Sequence, residues 1–130
     1  MVNAPTRPAS LYLQFLQFAE ALRAHAPLPH LDPLEERLLS LIAQAGERQQ
    51  RLCVRDMMSK SELGSPAMLH KRLKSMREKG WIWLADTEDG RRKQLELTQE
   101  ALQYFDKLSH CMLQAAQKRT VHAEKAYATK

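Results

Sequence analysis

Arg91-Arg92-Lys93 places three cations in a row directly after Asp89-Gly90. Asp-Gly is a strong two-residue hairpin signal, because a type I′ turn needs positive φ at both central positions. The pair stands between an aromatic segment, residues 81–85, and an alternating arm. In that arm Leu95 and Leu97 take one face and Gln94 and Glu96 the other. A second basic group lies just upstream. Ser65-Pro66 supplies an N-cap followed by proline at the first helical position. Leu69, Leu73 and Met76 then form a buried stripe at helical spacing, and the remaining surface shows Met68, His70, Lys71, Arg72, Lys74 and Ser75. A basic helix followed at once by a cationic hairpin tip has the reach to touch two parts of a DNA duplex.

Other chemistry finds little support. There is no nucleophile in a Ser-His-Asp pattern, no glycine loop to cradle phosphate, and no pair of carboxylates in an apolar setting. The chain is therefore not expected to be an enzyme or to need a cofactor. His25 and His30 are separated by prolines, and His110-Cys111 is adjacent rather than spaced for one helix face, so no metal site is expected. Cys53 lies between Arg51 and Arg55, where a thiolate would be favoured. Structural roles for Cys53 and Cys111 are nevertheless preferred, and two cysteines make no disulfide framework.

The charge is concentrated where the basic groups lie. Residues 51–93 carry eleven Lys/Arg against six Asp/Glu, a net of +5 that equals the net charge of the whole 130-residue chain. Residues 1–50 and 94–130 come to −1 and +1. A surface that meets phosphates concentrates charge in this way. No apolar run approaches the ~20 residues of a membrane span, and no apolar stretch near the N-terminus ends in a cleavage-like site. A cytoplasmic location is expected.

The elements that must position these groups follow from periodicity. Residues 1–9 read as a proline-containing flexible arm, followed by a single domain over 10–130. A helix over 10–25 is marked by Leu11, Phe15, Phe18 and Leu22. Leu13 and Leu16 broaden its apolar surface beyond one face, as suits contact with a partner subunit. Asp32-Pro33 with Glu35 predicts a capping box and a helix to Ala45, stopped by Gly46. A short extended piece at 52–54, a short helix over 54–59 and a turn at 62–64 lead into the basic helix. That helix runs to Lys79 and stops at Gly80. Trp81 and Trp83 are expected to share a strand face and pack at the base of the hairpin. Thr98 caps a last helix whose apolar pattern, Ala101, Phe105, Leu108, Met112 and Ala115, carries to Gln117.

The fold class is mainly α with a small two- or three-stranded β wing: a winged helix-turn-helix with flanking dimerisation helices. The DNA-binding core spans 31–97, and the flanking helices are 10–25 and 98–117. In such a fold the second helix of the pair enters the major groove while the first crosses the backbone.

At this point the residues resemble a family. Asp89, Arg91 two positions on, and Leu97-Thr98 closing the hairpin look like the wing of MarR-type winged-helix transcriptional regulators. Residues 65–80, ending Met-Arg-Glu-Lys-Gly, resemble that family's recognition helix and its glycine exit, and the resemblance covers roughly residues 31–110. The turn near 61–64 is slightly longer than the family's, and one long C-terminal helix stands in place of the usual pair. The resemblance implies that Arg91 enters the minor groove with Asp89 steadying the wing. It also implies a homodimer that regulates transcription, as a repressor, on a palindromic double-stranded DNA site. The DNA-contact set is then Ser65, Pro66, Met68, His70, Lys71, Arg72, Lys74 and Ser75 from the helix, with Asp89, Arg91, Arg92 and Lys93 from the wing. If a small-molecule effector controls the protein, the cleft between the dimer helices and the core is its expected place. The alternative is an interaction module of a replication, plasmid or phage assembly that reads no sequence.

Overall fold

The computed structural model of the chain describes residues 7–88 and 90–128, with side chains as far as Gln117. Its elements are α1 (Pro8–Ala24), α2 (Pro33–Glu47), α3 (Val54–Met58), a 3₁₀ turn (Ser61–Leu63), α4 (Pro66–Glu78), β1 (Ile82–Asp86), β2 (Lys93–Leu97) and α5 (Gln99–Ala128). They divide into two units: Pro27–Leu102, and the terminal segments Met1–Ala26 with Gln103–Lys130.

In the first unit, local capping rules set where each helix begins. Asp32 Oδ1 accepts from the Glu35 N–H at 2.8 Å, and Glu35 Oε1 accepts from the Asp32 N–H at 3.0 Å. This is the expected capping box, with Pro33 at the first helical position. Ser65 Oγ accepts from the Met68 N–H at 3.2 Å and opens α4 in the same way. Thr98 Oγ1 accepts from the Ala101 N–H at 3.1 Å and donates to the Gly80 carbonyl at 2.6 Å. One hydroxyl thus ties the start of α5 to the end of α4. The apolar faces so positioned meet in one core, in which Leu38, Met57, Leu69, Met76, Ile82 and Leu95 are almost completely buried. Burying each such side chain stabilises the fold by roughly 1.5–3 kcal/mol.

The helix stops divide between expectation and surprise. Gly80 follows α4 with φ +86°, and the Trp81 N–H returns to the Met76 carbonyl at 3.0 Å. The positive φ favours glycine, and a Cβ here would also come within 3.3 Å of Leu28 Cδ2, a tight approach that the leucine tip would have to yield to. Helix α2, by contrast, does not stop at Gly46. It continues through Glu47, and Gln49 takes the left-handed position at φ 58° while the Gln50 N–H closes on the Ala45 carbonyl at 2.9 Å. The closing hydrogen bonds fix the stop three residues later than glycine content alone implies.

The sheet is antiparallel, with Ile82 opposite Leu97 and Asp86 opposite Lys93. Cys53 adds an isolated bridge to Gln94, and the Leu95 N–H donates to the Leu52 carbonyl at 2.8 Å, so residues 52–53 form a rudimentary third edge. The expected two-residue turn rests on Asp89, which lies outside the described residues, but the strand pairing stops well short of one. Pairing ends at Asp86 and Lys93, and the Thr87 hydroxyl closes the wider loop by donating to the Arg92 carbonyl at 3.0 Å.

In the other unit, α1 begins at Pro8, earlier than the periodicity implied, because proline suits the first helical turn. Ala19 of α1 and Tyr104, Cys111 and Ala115 of α5 are buried. Helix α5 continues past Gln117 to Ala128 as a single helix. Tyr12, Leu13, Met112 and Leu113 stay exposed, each by 58–61%. Among the described residues, no helix is long and apolar enough to cross a membrane.

Candidate nucleic-acid interface

Helix α4 sits on the core through Leu69, Leu73 and Met76, which leaves its outer surface to Ser65, Pro66, Met68, His70, Lys71, Lys74, Arg77 and Glu78. All of these are exposed. His70, Lys74 and Arg77 follow one another at spacings of four and three, so they form one edge of the helix. Arg77 was not among the residues singled out from sequence. Its spacing from His70 and Lys74 was the available signal. No ion pair among the described residues holds Lys71, Lys74 or Arg77. The edge faces β1 across an open groove of about 970 Å³, whose far wall includes Ile82 and Trp83.

The two tryptophans part company here. Trp81 precedes β1, is buried, and donates its indole N–H to the Pro29 carbonyl at 2.8 Å. Trp83 lies within β1 and is 48% exposed. The expected shared face fails because Trp81 is outside the strand, where alternation no longer applies.

Several predicted contact residues are already engaged within the chain. Arg72 is not on the open edge. Its Nη1 pairs with Asp32 Oδ2 at 2.6 Å, turning its guanidinium towards the α2 N-terminus. Ser75 is half-buried on the same side, near Glu35. The Ser65 hydroxyl is taken by its capping bond. Lys93 opens β2 and pairs with Asp86, its cross-strand partner. Arg91 and Arg92 are exposed in the loop between the strands. Asp89, the aspartate of the expected wing motif, lies outside the described residues.

A second ion pair joins α4 to α2. Lys79 Nζ lies 2.9 Å from Glu35 Oε1 and also donates to the His30 carbonyl at 3.1 Å. Glu35 is 1% exposed. Burial pushes its carboxyl up, but the Asp32 amide, Lys79 and Ser75 outweigh this and hold it below the ordinary value of 4.5. Glu35 is therefore a buried anion at neutral pH.

This arrangement of helix, turn, exposed cationic helix and hairpin is a winged helix-turn-helix. No family model matches the chain. No curated protein matches it. Solved structures do. S. aureus MepR bound to ethidium bromide superposes with a TM-score of 0.63 at 14% identity, covering 98% of this chain and 94% of that one. A point mutant of S. aureus MepR bound to an oligodeoxyribonucleotide gives 0.58 at 15% identity, over 93% and 85%. A putative MarR family transcriptional regulator from Clostridium acetobutylicum gives 0.50 at 16% identity, over 86% and 77%. The chain has the MarR-type winged-helix fold.

Proposed function

We propose that the protein is a non-enzymatic, sequence-specific DNA-binding transcriptional regulator, a repressor acting in the cytoplasm as a homodimer on a palindromic site. The observation that carries this reading is the outer surface of α4. It is capped at Ser65 and exposes His70, Lys71 and Lys74, in the same unit as Arg91 and Arg92 of the wing loop. Lys71 and Lys74 supply phosphate contacts or guanine-edge hydrogen bonds, and Met68 and His70 lie beside them. Arg91, with Asp89 as its support, reads the adjacent minor groove, where narrow A·T tracts concentrate negative potential.

The exposed Tyr12, Leu13, Met112 and Leu113 support a dimer built through α1 and α5, since apolar side chains on a second helix face gain from a partner subunit. Two recognition helices related by a two-fold axis then meet successive major-groove segments about one helical turn apart. Of the similar structures, one holds an oligodeoxyribonucleotide and one holds ethidium. The first supports the nucleic-acid reading, and the second supports a small-molecule effector as a further partner.

Selection of bound duplexes from a randomised pool at near-physiological salt tests the proposal. An inverted repeat among the survivors is expected. Binding without enrichment turns the case towards an interaction module that reads no sequence, and a monomer by light scattering at micromolar concentration, with and without DNA, removes the palindrome. Arg91→Ala is expected to weaken binding about tenfold and to erode A·T preference beside the half-site. Unchanged affinity and preference would sink the wing assignment.

A further inference from the structure

The α2 capping box does a second job. Its two carboxylates each satisfy a helix-terminal N–H, and each also receives a cation from α4. Arg72 and Lys79 are seven residues apart and share a stripe with Ser75 on the α2 side of the helix. Asp32 and Glu35 match that stripe with an acid for each cation. The two pairs differ in depth. Glu35 is buried, whereas the Arg72 and Asp32 side chains remain 36% and 33% exposed. Arg72 thus stands at the margin between the α2 contact and the exposed surface of α4, one residue from Lys71.

A guanidinium has five N–H donors and binds carboxylate and phosphate with the same forked geometry. Asp32 and a DNA phosphate are therefore competitors for Arg72. The Arg72 Nε is buried and has no hydrogen-bond partner, so the carboxylate does not use the full donor set. A phosphate contact from Arg72 would strengthen binding to any duplex, since backbone contacts carry no sequence information. Withholding it lowers affinity for all sequences alike and leaves discrimination to the side chains that meet base edges.

We propose that Asp32 is a positioning residue for DNA recognition, holding Arg72 away from the phosphate backbone and so restraining sequence-independent binding. The inference rests on the DNA-binding reading above. Asp32 sets which cations of α4 are presented, and Glu35 with Lys79 keeps the helix edge against α2 so that the Arg72 pair persists.

The test measures the affinity of the full chain for a fluorescent duplex of scrambled sequence, between about 50 and 200 mM salt. Asp32→Asn keeps the N-cap, because asparagine caps as well as aspartate, but removes the charge that holds Arg72. Asp32→Ser is a second capping variant, and circular dichroism checks the fold of each. In both, the slope of log affinity against log salt is expected to steepen by about 1.8 for the homodimer, the value of one added phosphate contact from each subunit. Affinity for the scrambled duplex rises severalfold. Adding Arg72→Gln to Asp32→Asn returns the slope to that of the unmodified chain, which a merely structural role for Asp32 would not do. An unchanged slope in both folded Asp32 variants overturns the inference alone. So does a shallower slope for Arg72→Gln by itself, which would mean that Arg72 already touches phosphate. No binding of any duplex by the unmodified chain overturns the DNA-binding reading itself, and that result is seen before any variant is compared.

Discussion

The two long edges of α4 carry similar charge and meet their neighbours in opposite ways. On the α2 side, Arg72, Ser75 and Lys79 are drawn against Asp32 and Glu35. On the β1 side, His70, Lys74 and Arg77 border an open groove with a half-exposed Trp83. Nothing in the local sequence separates these two groups of cations. The separation comes from what the fold brings alongside: an acidic helix start on one edge and a largely apolar strand face on the other. A cation count along a recognition helix is therefore an upper bound on the charge available to a ligand.

The largest expected effect breaks the closed edge. Lys79→Met keeps the aliphatic stem but leaves the Glu35 carboxylate buried without its cation. A loss of about 2 kcal/mol is expected in urea denaturation at neutral pH. Breaking a fully buried pair costs more, but here the lysine is 29% exposed and partly screened. A loss below about 0.5 kcal/mol, the scatter of ordinary surface changes, would remove the contrast between the edges.

Lys74→Ala probes the open edge and should show the reverse pattern. Stability changes by no more than about 0.5 kcal/mol, while DNA affinity falls and its salt slope becomes shallower by about 1.8, one lost contact per subunit of the proposed dimer. Altered stability with unaltered salt slope would place Lys74 in the fold rather than in the interface.

Acid sharpens the comparison further. The folded-state pKa of Glu35 is held below 4.5, so its ion pair contributes fully above pH 4.5 and loses that contribution as pH falls through the lowered value. Glu35→Gln should therefore flatten the acid limb of a stability–pH profile, whereas Lys74→Ala should leave that limb in place. Identical acid limbs for Glu35→Gln and the parent would remove Glu35 from the account. The smallest effect serves as a control at the far end of α2. Gln49→Gly relieves a left-handed non-glycine residue and should raise stability by about 0.5–1 kcal/mol, read as a small rise in Tm. A decrease would show that the glutamine side chain contributes more than its backbone costs.

What could be read from sequence was what neighbouring residues decide between themselves. Asp32, Pro33 and Glu35 specify a helix start within four residues, and Ser65-Pro66 and Thr98 do the same, so the helix starts they cap were legible. So was the stripe that seats α4 on the core. The pairing of Arg72 with a residue 40 positions earlier, and of Lys79 with one 44 positions earlier, depends on how α2 and α4 pack and has no local signature. The width of the hairpin loop was hidden for a related reason. Asp89-Gly90 has the composition of a tight turn, but strand pairing that ends at Asp86 and Lys93 leaves a wider loop that Thr87 closes from one side. Arg77, an exposed cation of the open edge, did have a local signal: it lies three residues after Lys74 and seven after His70.

The divergence of the two tryptophans gives the chain a pair of intrinsic optical probes. Trp81, sealed in the core, should emit towards the blue and resist quenchers until the unit unfolds. Trp83, half in solvent beside the cationic edge, should emit towards the red and respond to whatever enters the groove. Unfolding and occupancy are thereby written at different wavelengths in one unlabelled molecule, and a single Trp83→Phe change silences one channel without touching the other.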